Sequence, residues 1–259
     1  MYRINAILLE ISIMNELETT LRNLDWENPQ NSFTSIAQTL MGKYVVKKGN
    51  NRYAIIEIEF YLYSNAHQDY IVYPRNIEVG RWFFHQSGVD LTFESNNIHI
   101  TKNKEGKKIV TLGSNPQFGG ILIRGLYKLN PTKDEEPYLF GPQKCVNELW
   151  DKFNALTPST DEYPIIVNTI PEDNLNISNL IRCKRCINIK NDIEVRTKKI
   201  KEWAKRLGIE ISNDKYQQEM FDNQETQLYR YFNLPNGENP CTLINIPASS
   251  RPKKILAVI

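Results

Sequence analysis

Apolar side chains recur at helical spacing near the N-terminus of this 259-residue chain. Between residues 5 and 24 they stand three or four positions apart, which predicts an amphipathic helix. The sequence Asn28-Pro29-Gln30-Asn31 ends this pattern. Ser32 is then a candidate N-cap for a second, shorter helix that we expect to end at Gly42.

The pattern changes to alternating positions after this helix. Residues 43–48 and 52–63 flank Gly49-Asn50-Asn51, a sequence typical of a β-hairpin turn. The chain contains neither an internal repeat nor a low-complexity linker, so we expect one α+β domain. Further strands are predicted at 89–94, 107–112, 120–129, 181–189 and 227–234, and further helices at 145–156 and 193–207.

Composition favours an ordinary globular protein, with 41% apolar and 24% charged residues. The apolar run at 6–14 contains Glu10 and is too short to cross a bilayer. It also lacks the basic segment and cleavage site of a signal peptide. Four cysteines fit a reducing compartment. We therefore expect a cytoplasmic protein without a membrane partner.

Basic residues are concentrated in the second half of the chain. The net charge is only +2, but residues 181–206 contain ten Lys or Arg and three acidic residues. Such a segment attracts a phosphate backbone or an anionic membrane. A solvated helix face explains the same pattern equally well.

Two predicted strands carry the candidate chemistry. In residues 56–62, Glu57, Glu59 and Tyr61 share one face, while the other face is apolar. A half-solvated strand is the simplest interpretation. Arg124, however, is the single charge in the apolar stretch 120–126. A buried guanidinium needs an anionic partner, so we expect it to contact a carboxylate such as Glu59 or a phosphate. A structural ion pair is equally compatible.

Metal chemistry is not expected. Cys183-x-x-Cys186 has the spacing of half a zinc site, but no second ligand pair follows at a suitable distance.

A series of short motifs follows in order along the chain. The motifs are Leu40-Met41-Gly42-Lys43, Glu57-Ile58-Glu59-Phe60-Tyr61-Leu62, His67, Pro74-Arg75-Asn76, Gly88-Val89-Asp90-Leu91-Thr92-Phe93, Gly120-Ile121-Leu122-Ile123-Arg124-Gly125-Leu126, Gly141-Pro142-Gln143-Lys144, Arg185 and Trp203-Ala204-Lys205. In this order they resemble the 3-methyladenine (alkyladenine, or methylpurine) DNA glycosylase family over about residues 32–235. Their order and spacing carry the resemblance more than any single motif does.

The resemblance implies a fold and an activity. The fold is α+β, with a curved, largely antiparallel β-sheet flanked by helices. Residues 1–31 become an N-terminal helical extension, 32–235 the catalytic domain and 236–259 a C-terminal tail. The activity is that of a monofunctional DNA N-glycosylase of base excision repair, which flips out a damaged or modified purine. It needs no cofactor and no obligate protein partner, and its partner is duplex or single-stranded DNA in a bacterial-type cytosol or nucleoid.

The resemblance also implies roles for individual residues. Glu59 deprotonates the attacking water, and Arg124 holds that carboxylate and a nearby phosphate. Tyr61 and His67 contact the extruded base on one side, and Phe93 lies on its other side. A carboxylate beneath the sugar suits this reaction because positive charge develops there. The DNA contacts implied are Arg75, Lys144, Lys184, Arg185 and Lys205.

One segment departs from the family. Ser95-Asn96-Asn97-Ile98 stands where the family has an aromatic stretch whose tyrosine enters the DNA. This departure favours a glycosylase for another substrate, such as a modified phage base, a single strand or a free nucleoside. A catalytically silent relative that only binds nucleic acid is the other alternative. The presence of both Glu59 and Arg124 argues against the silent relative.

Overall fold

A computed structural model describes most of the chain between residues 16 and 258. The residues described are 16–151, 156, 159–173, 175, 180–185, 193–211, 228–235, 238–243, 246, 251–252 and 257–258. Four α-helices lie within them: α1 (16–22), α2 (Pro29–Lys43), α3 (Pro142–Leu149) and α4 (Ile193–Arg206). Short 3₁₀ helices occupy Thr160–Glu162 and Pro171–Asp173.

Within these residues, eleven strands form a curved sheet, and each described pairing is antiparallel. The predicted α+β class and antiparallel sheet are therefore confirmed. The strands are β1 (Tyr44–Lys48), β2 (Asn51–Tyr63), β3 (Trp82–His85), β4 (Gly88–Thr92), β5 (Asn96–Lys102), β6 (Lys108–Lys128), β7 (Tyr138–Phe140), β8 (Ile165–Asn168), β9 (Ile181–Cys183), β10 (Arg230–Phe232) and β11 (Ala257–Val258).

The two longest strands, β2 and β6, lie at the centre of the sheet. The main order is β11-β9-β10-β2-β6-β4-β3, while β1 pairs with β2 and β8. Strand β6 is long enough to pair with β2 and β4 at one end and with β5 at the other. The paired β5 and β6 form a two-stranded ribbon whose connecting loop lies near residue 105.

Helix α2 covers one face of the central strands. Ile58, Phe60 and Leu62 of β2 pack in one core with it, and the Phe33 ring stacks on the Phe60 ring with centroids 4.3 Å apart. Leu17, Leu21 and Leu24 join the same core from the N-terminal side. The alternation of β2 therefore places Glu57, Glu59 and Tyr61 on the opposite face of the sheet.

The hairpin and the end of α4 agree with the sequence predictions. Lys48 pairs with Asn51 across a two-residue turn, and Gly49 has a positive φ of 55°. Gly208, with φ 73°, follows the last turn of α4. Helix α2 instead begins at Pro29, because proline is well suited to the first helical position. The Ser32 hydroxyl accepts a hydrogen bond from the Asp25 amide.

The prediction of separate strands at 107–112 and 120–129 was wrong. Both belong to β6, which continues through Gly113 and through Asn115 with φ 53°. The predicted helix at 145–156 begins earlier, at Pro142, and its described helical part ends at Leu149. Strands β3, β5, β7, β8 and β11 were not predicted. Parts of four predicted elements, at 5–15, 152–155, 186–189 and 227, lie outside the described residues.

The boundaries at residues 31 and 236 stay predictions. The described segments outside them are nevertheless integrated into the fold, since Leu21 is in the core and β11 pairs with β9. In the part of the chain that the structure describes, no helix is both long and apolar enough to cross a membrane.

Candidate active site

A row of side chains crosses four strands on the face opposite α2. Glu59 of β2 is opposite Arg230 of β10 on one side and Leu122 of β6 on the other, and Leu122 is in turn opposite Asp90 of β4. Neighbouring strands lie about 4.8 Å apart, so the backbones of Glu59 and Asp90 are separated by about 10 Å. The row therefore places two carboxylates on one face with an apolar side chain between them.

Two glutamates and two arginines form a buried network at one end of this row. The Arg124 Nε lies 2.7 Å from Glu57 Oε1, and its Nη1 lies 3.2 Å from Glu59 Oε2. Arg230 Nη2 lies 2.7 Å from Glu57 Oε1, and its Nε is 3.7 Å from Glu59 Oε1. None of the four residues is more than 8% exposed. The contact that the sequence predicted between Glu59 and Arg124 is therefore present.

Charge pairing outweighs the cost of burial in this network. Burial alone lowers the pKa of Arg124, but Glu59 and then Glu57 raise it above its ordinary value. The guanidinium therefore stays charged. Two positive and two negative charges balance, which is the condition for burying them.

Tyr61 is the second donor to Glu59. Its hydroxyl donates to Glu59 Oε2 over 2.7 Å. Burial raises the pKa of Tyr61 well above its usual value, and the neighbouring Glu59 charge raises it further. Tyr61 thus stays protonated, so Oε2 accepts from both the tyrosine and Arg124. The Glu59 side chain is fully buried behind these donors.

A second ion pair lies beside Tyr61. Arg185 Nη1 is 2.5 Å from Asp69 Oδ2, and the guanidinium stands 4.7 Å over the Tyr61 ring. The same guanidinium lies 5.5 Å from the Tyr229 ring, which the His67 ring approaches to 5.4 Å. The structure therefore gathers Tyr61 and His67 around Arg185, close to Glu59.

His67 is held in its neutral form. Burial lowers its pKa, and the opposing effect of Asp69 is smaller. Its Nε2 is buried and has no hydrogen-bond partner among the described residues. This nitrogen faces protein rather than solvent.

Phe93 does not join this group, which corrects its predicted role. It is fully buried, and its ring lies parallel to the Phe33 and Phe60 rings at 6.3 and 6.4 Å. These residues belong to the core beneath α2. Asp90 of β4 shares the face of Glu59, and alternate residues along a strand face opposite sides of the sheet. Phe93, three residues after Asp90, therefore faces the side away from Glu59.

Two of the five predicted DNA contacts are likewise corrected. Arg75 and Arg185 are buried and paired with Asp90 and Asp69, so neither presents its charge at the surface. A guanidinium at such a depth needs a carboxylate partner, which leaves it unable to serve as an exposed phosphate contact. Lys144, Lys184 and Lys205 are exposed, and their DNA contacts stay predictions.

Exposed lysines instead lie on two elements that pack together. Leu207, directly after α4, packs in one apolar cluster with Ile98 of β5 and Phe118 of β6. Both elements carry lysines that point to solvent: Lys198, Lys199, Lys201 and Lys205 on α4, and Lys102, Lys104, Lys107 and Lys108 around the ribbon loop. Of these, Lys199 pairs with Glu202.

Sequence reasoning missed part of the network. Arg230 is, like Arg124, a charge within an apolar and aromatic strand, so the same argument could have identified it. Glu57 was placed on the correct face without a role. Asp69 and Asp90 gave no signal, because their partners Arg185 and Arg75 are distant in sequence.

Metal binding gains no support from the described geometry. Within the described ranges, no three His, Cys, Asp or Glu side chains are grouped to hold an ion. Burial raises the pKa of Cys183 to about 12, which favours the thiol over the thiolate that a metal requires. Cys186 lies outside the described residues.

The chain matches no protein-family model, and comparisons with curated proteins and with solved structures find no match. The function must therefore be argued from the geometry.

The position of Phe93 gives a first prediction. Phe93→Ala removes a buried ring from the core and is expected to lower the free energy of unfolding by about 3–5 kcal/mol. Phe84→Ala is the control, because Phe84 is 51% exposed and its truncation costs much less. Chemical denaturation measures both. A Phe93→Ala protein of wild-type stability would contradict the core assignment.

The depressed pKa of His67 gives a second prediction. Below the ordinary value of about 6.5, the unfolded chain binds a proton at this position that the folded chain does not. The free energy of unfolding should therefore fall as the pH drops from about 7 to 5, and His67→Gln should reduce this fall. His99→Gln, at an exposed position, is the control. Identical pH profiles for wild type and His67→Gln would show that burial does not control this histidine.

Proposed function

We propose that this protein is a monofunctional DNA N-glycosylase in which Glu59 activates the attacking water. The observation that carries the proposal is the Glu59 carboxylate itself, buried on the charged face and held by Arg124 and Tyr61. Glu59 is a potential general base, and two hydrogen-bond donors hold it in place away from bulk water. The motif resemblance and the glycosylase-like fold are part of the same proposal.

The residue types suit cleavage of an N-glycosidic bond. The sugar becomes positively charged as the base departs, so a nearby carboxylate lowers the energy of the transition state. The same carboxylate can accept a proton from water. Arg124 keeps the Glu59 carboxylate oriented. Because Arg124 also pairs with Glu57, its positive charge is shared between the two glutamates and neutralises Glu59 only in part.

Tyr61 stands between Glu59 and the outside of the site. Its hydroxyl donates to Glu59 Oε2 and therefore occupies a place where an attacking water would have to bind the carboxylate. Tyr61 is itself partly exposed, in contrast to Glu59. We therefore expect substrate entry to displace the tyrosine hydroxyl and to admit water to the carboxylate.

A lyase step is not part of this proposal. The cations identified beside Glu59 are the guanidinium groups of Arg124 and Arg230. Schiff-base chemistry requires an amine nucleophile such as lysine, and a permanently charged guanidinium does not supply one.

One observation favours a second candidate, a catalytically silent nucleic-acid-binding protein. Glu59 has no exposed surface, and its oxygens contact two arginines and a tyrosine. These contacts also describe a purely structural ion-pair network. The lysines of α4 and the ribbon serve binding in either candidate, so the two differ only in whether a base is released.

Replacing the carboxylate separates these candidates. Glu59→Gln keeps the size and hydrogen bonding of the side chain but removes the base and its charge. We expect single-turnover base release to fall by ~10²–10⁴ from loss of the base and by a further ~10²–10³ from loss of the preorganised charge. DNA affinity should be retained, because removing an anion does not weaken attraction to phosphate.

Glu148→Gln is the matched control. Glu148 also accepts a hydrogen bond from a tyrosine, Tyr53, over 2.6 Å, but lies outside the site. Thermal melts establish that both variants are folded. Release by Glu59→Gln at the wild-type rate would mean that another residue is the base.

The lysines of α4 and the ribbon generate a prediction for binding. The double variant Lys201→Glu/Lys205→Glu should weaken DNA binding and flatten its dependence on salt, since fewer counterions are released. Lys133→Glu, at an exposed position on another loop, is the control. Fluorescence anisotropy between 50 and 200 mM salt measures the effect. Equal salt slopes for the double variant and wild type would show that α4 does not contact DNA.

A further inference from the structure

A small cavity opens beside Tyr61, at the other end of the row from Arg230. Its volume is about 40 Å³, enough for about three water molecules. Leu122, the neighbour of both Glu59 and Asp90 in the sheet, forms part of its wall. The polar and aromatic residues of its lining are Tyr61, Tyr73, Arg75, His85, Ser87 and Asp90. Ser87 is exposed and marks the mouth.

Arg75 and Asp90 are the charged groups of this cavity. Arg75 Nη2 lies 2.6 Å from Asp90 Oδ2, and both residues are 1% exposed. Burial lowers the pKa of Arg75 and is only partly opposed by Asp90. Arg75 Nη1 has no hydrogen-bond partner among the described residues, although a buried guanidinium normally uses its donors.

Gly120 makes the position of this donor possible. A Cβ atom at Gly120 would lie 2.8 Å from Arg75 Nη1. The guanidinium also stands 4.2 Å over the Phe83 ring, and its Nε donates to the Tyr73 carbonyl. Arg75 is thus held by a hydrogen bond from Nε, by the ion pair of Nη2 with Asp90 and by the Phe83 ring, while Nη1 is left for another acceptor.

His85 orients the carboxylate. Its Nδ1 accepts a hydrogen bond from the Ser87 amide, so Nε2 carries the proton and donates to Asp90 Oδ1 over 2.9 Å. Opposing effects act on Asp90: burial raises its pKa, but Arg75 and His85 together lower it below its usual value. The cavity therefore contains an anionic acceptor beside an unused cationic donor.

Aromatic rings frame this pair. The Tyr73 and His85 rings are stacked at 4.4 Å, and the Arg206 guanidinium lies 4.1 Å from the centre of the Tyr73 ring. The cavity offers flat walls together with one donor and one acceptor. These are the features that recognise the edge of an aromatic heterocycle.

We propose that the Arg75–Asp90 cavity is a recognition subsite for the donor–acceptor edge of a purine base. Arg75 Nη1 donates to a ring nitrogen or carbonyl oxygen, and Asp90 accepts from the neighbouring amino group. The proposal rests on the proposed function, since it places the extruded base between Tyr61 and this cavity, about one strand pair from Glu59. Only the edge of the ring enters the cavity, in keeping with its small volume.

Free bases test this subsite without any cleavage. Ligand-observed NMR on the full chain measures binding of adenine and of N6,N6-dimethyladenine, which lacks the amino hydrogens. We expect adenine to bind at least roughly tenfold more tightly, as a paired donor and acceptor discriminate between bases. Arg75→Lys keeps the charge but loses the forked donors, and should reduce adenine affinity by a similar factor.

Two further variants keep the test decisive. Asp90→Asn, which preserves shape, should also weaken adenine binding if Arg75→Lys does not fold. Arg81→Lys, at an exposed arginine outside the cavity, should bind as wild type does. Equal affinities of wild type for the two bases, no binding of adenine, or wild-type affinity in folded Arg75→Lys and Asp90→Asn would each overturn the proposal.

This test separates the subsite from the enzymatic activity. Adenine binding that depends on Arg75, without release of any base from DNA, would leave the subsite standing and contradict the proposed glycosylase. Base release from DNA with no dependence of adenine binding on Arg75 would contradict the subsite alone.

Discussion

Burial of two adjacent glutamates is the constraint on which the structure of the site depends. Glu57 and Glu59 stand on the same face of β2 and are nearly removed from solvent. Their burial is possible because Arg124 and Arg230 enter from the strands on either side. Removing one partner of such a buried pair typically costs about 3–5 kcal/mol. These ion pairs therefore help to hold β6 and β10 beside β2, in addition to the apolar core on the other face.

A local irregularity in the sheet brings these charges together. The register of β2 and β6 shifts on both sides of Glu57, opposite Gly125. A side chain at Gly125 would place its Cβ 2.8 Å from the Glu57 Cβ, so glycine is needed for this close approach. In this irregular region the Arg124 side chain reaches both glutamates.

The sequence predicted the parts of the structure that depend on local patterns. The hairpin at Gly49, the alternation of β2 and the end of α4 follow from spacing and glycine chemistry. The pairing of Arg124 with Glu59 followed from the cost of an unpaired buried charge. The predicted placement of Phe93 beside the base was wrong, because the side of the sheet that its ring faces depends on how β4 pairs with β6. The pairs Arg185–Asp69 and Arg75–Asp90 also required the tertiary fold, since nothing local marks which carboxylate an arginine will meet.

The central claim is that the buried network holds Glu59 for hydrolysis and is not only structural. The most direct measurement is mass spectrometry of bases released from DNA that carries alkylated, deaminated and phage-type modified purines. The account predicts that the wild-type protein liberates at least one free base and leaves an unbroken strand with an abasic site. Folded protein that binds this DNA and releases no base from any member of the panel would contradict the account.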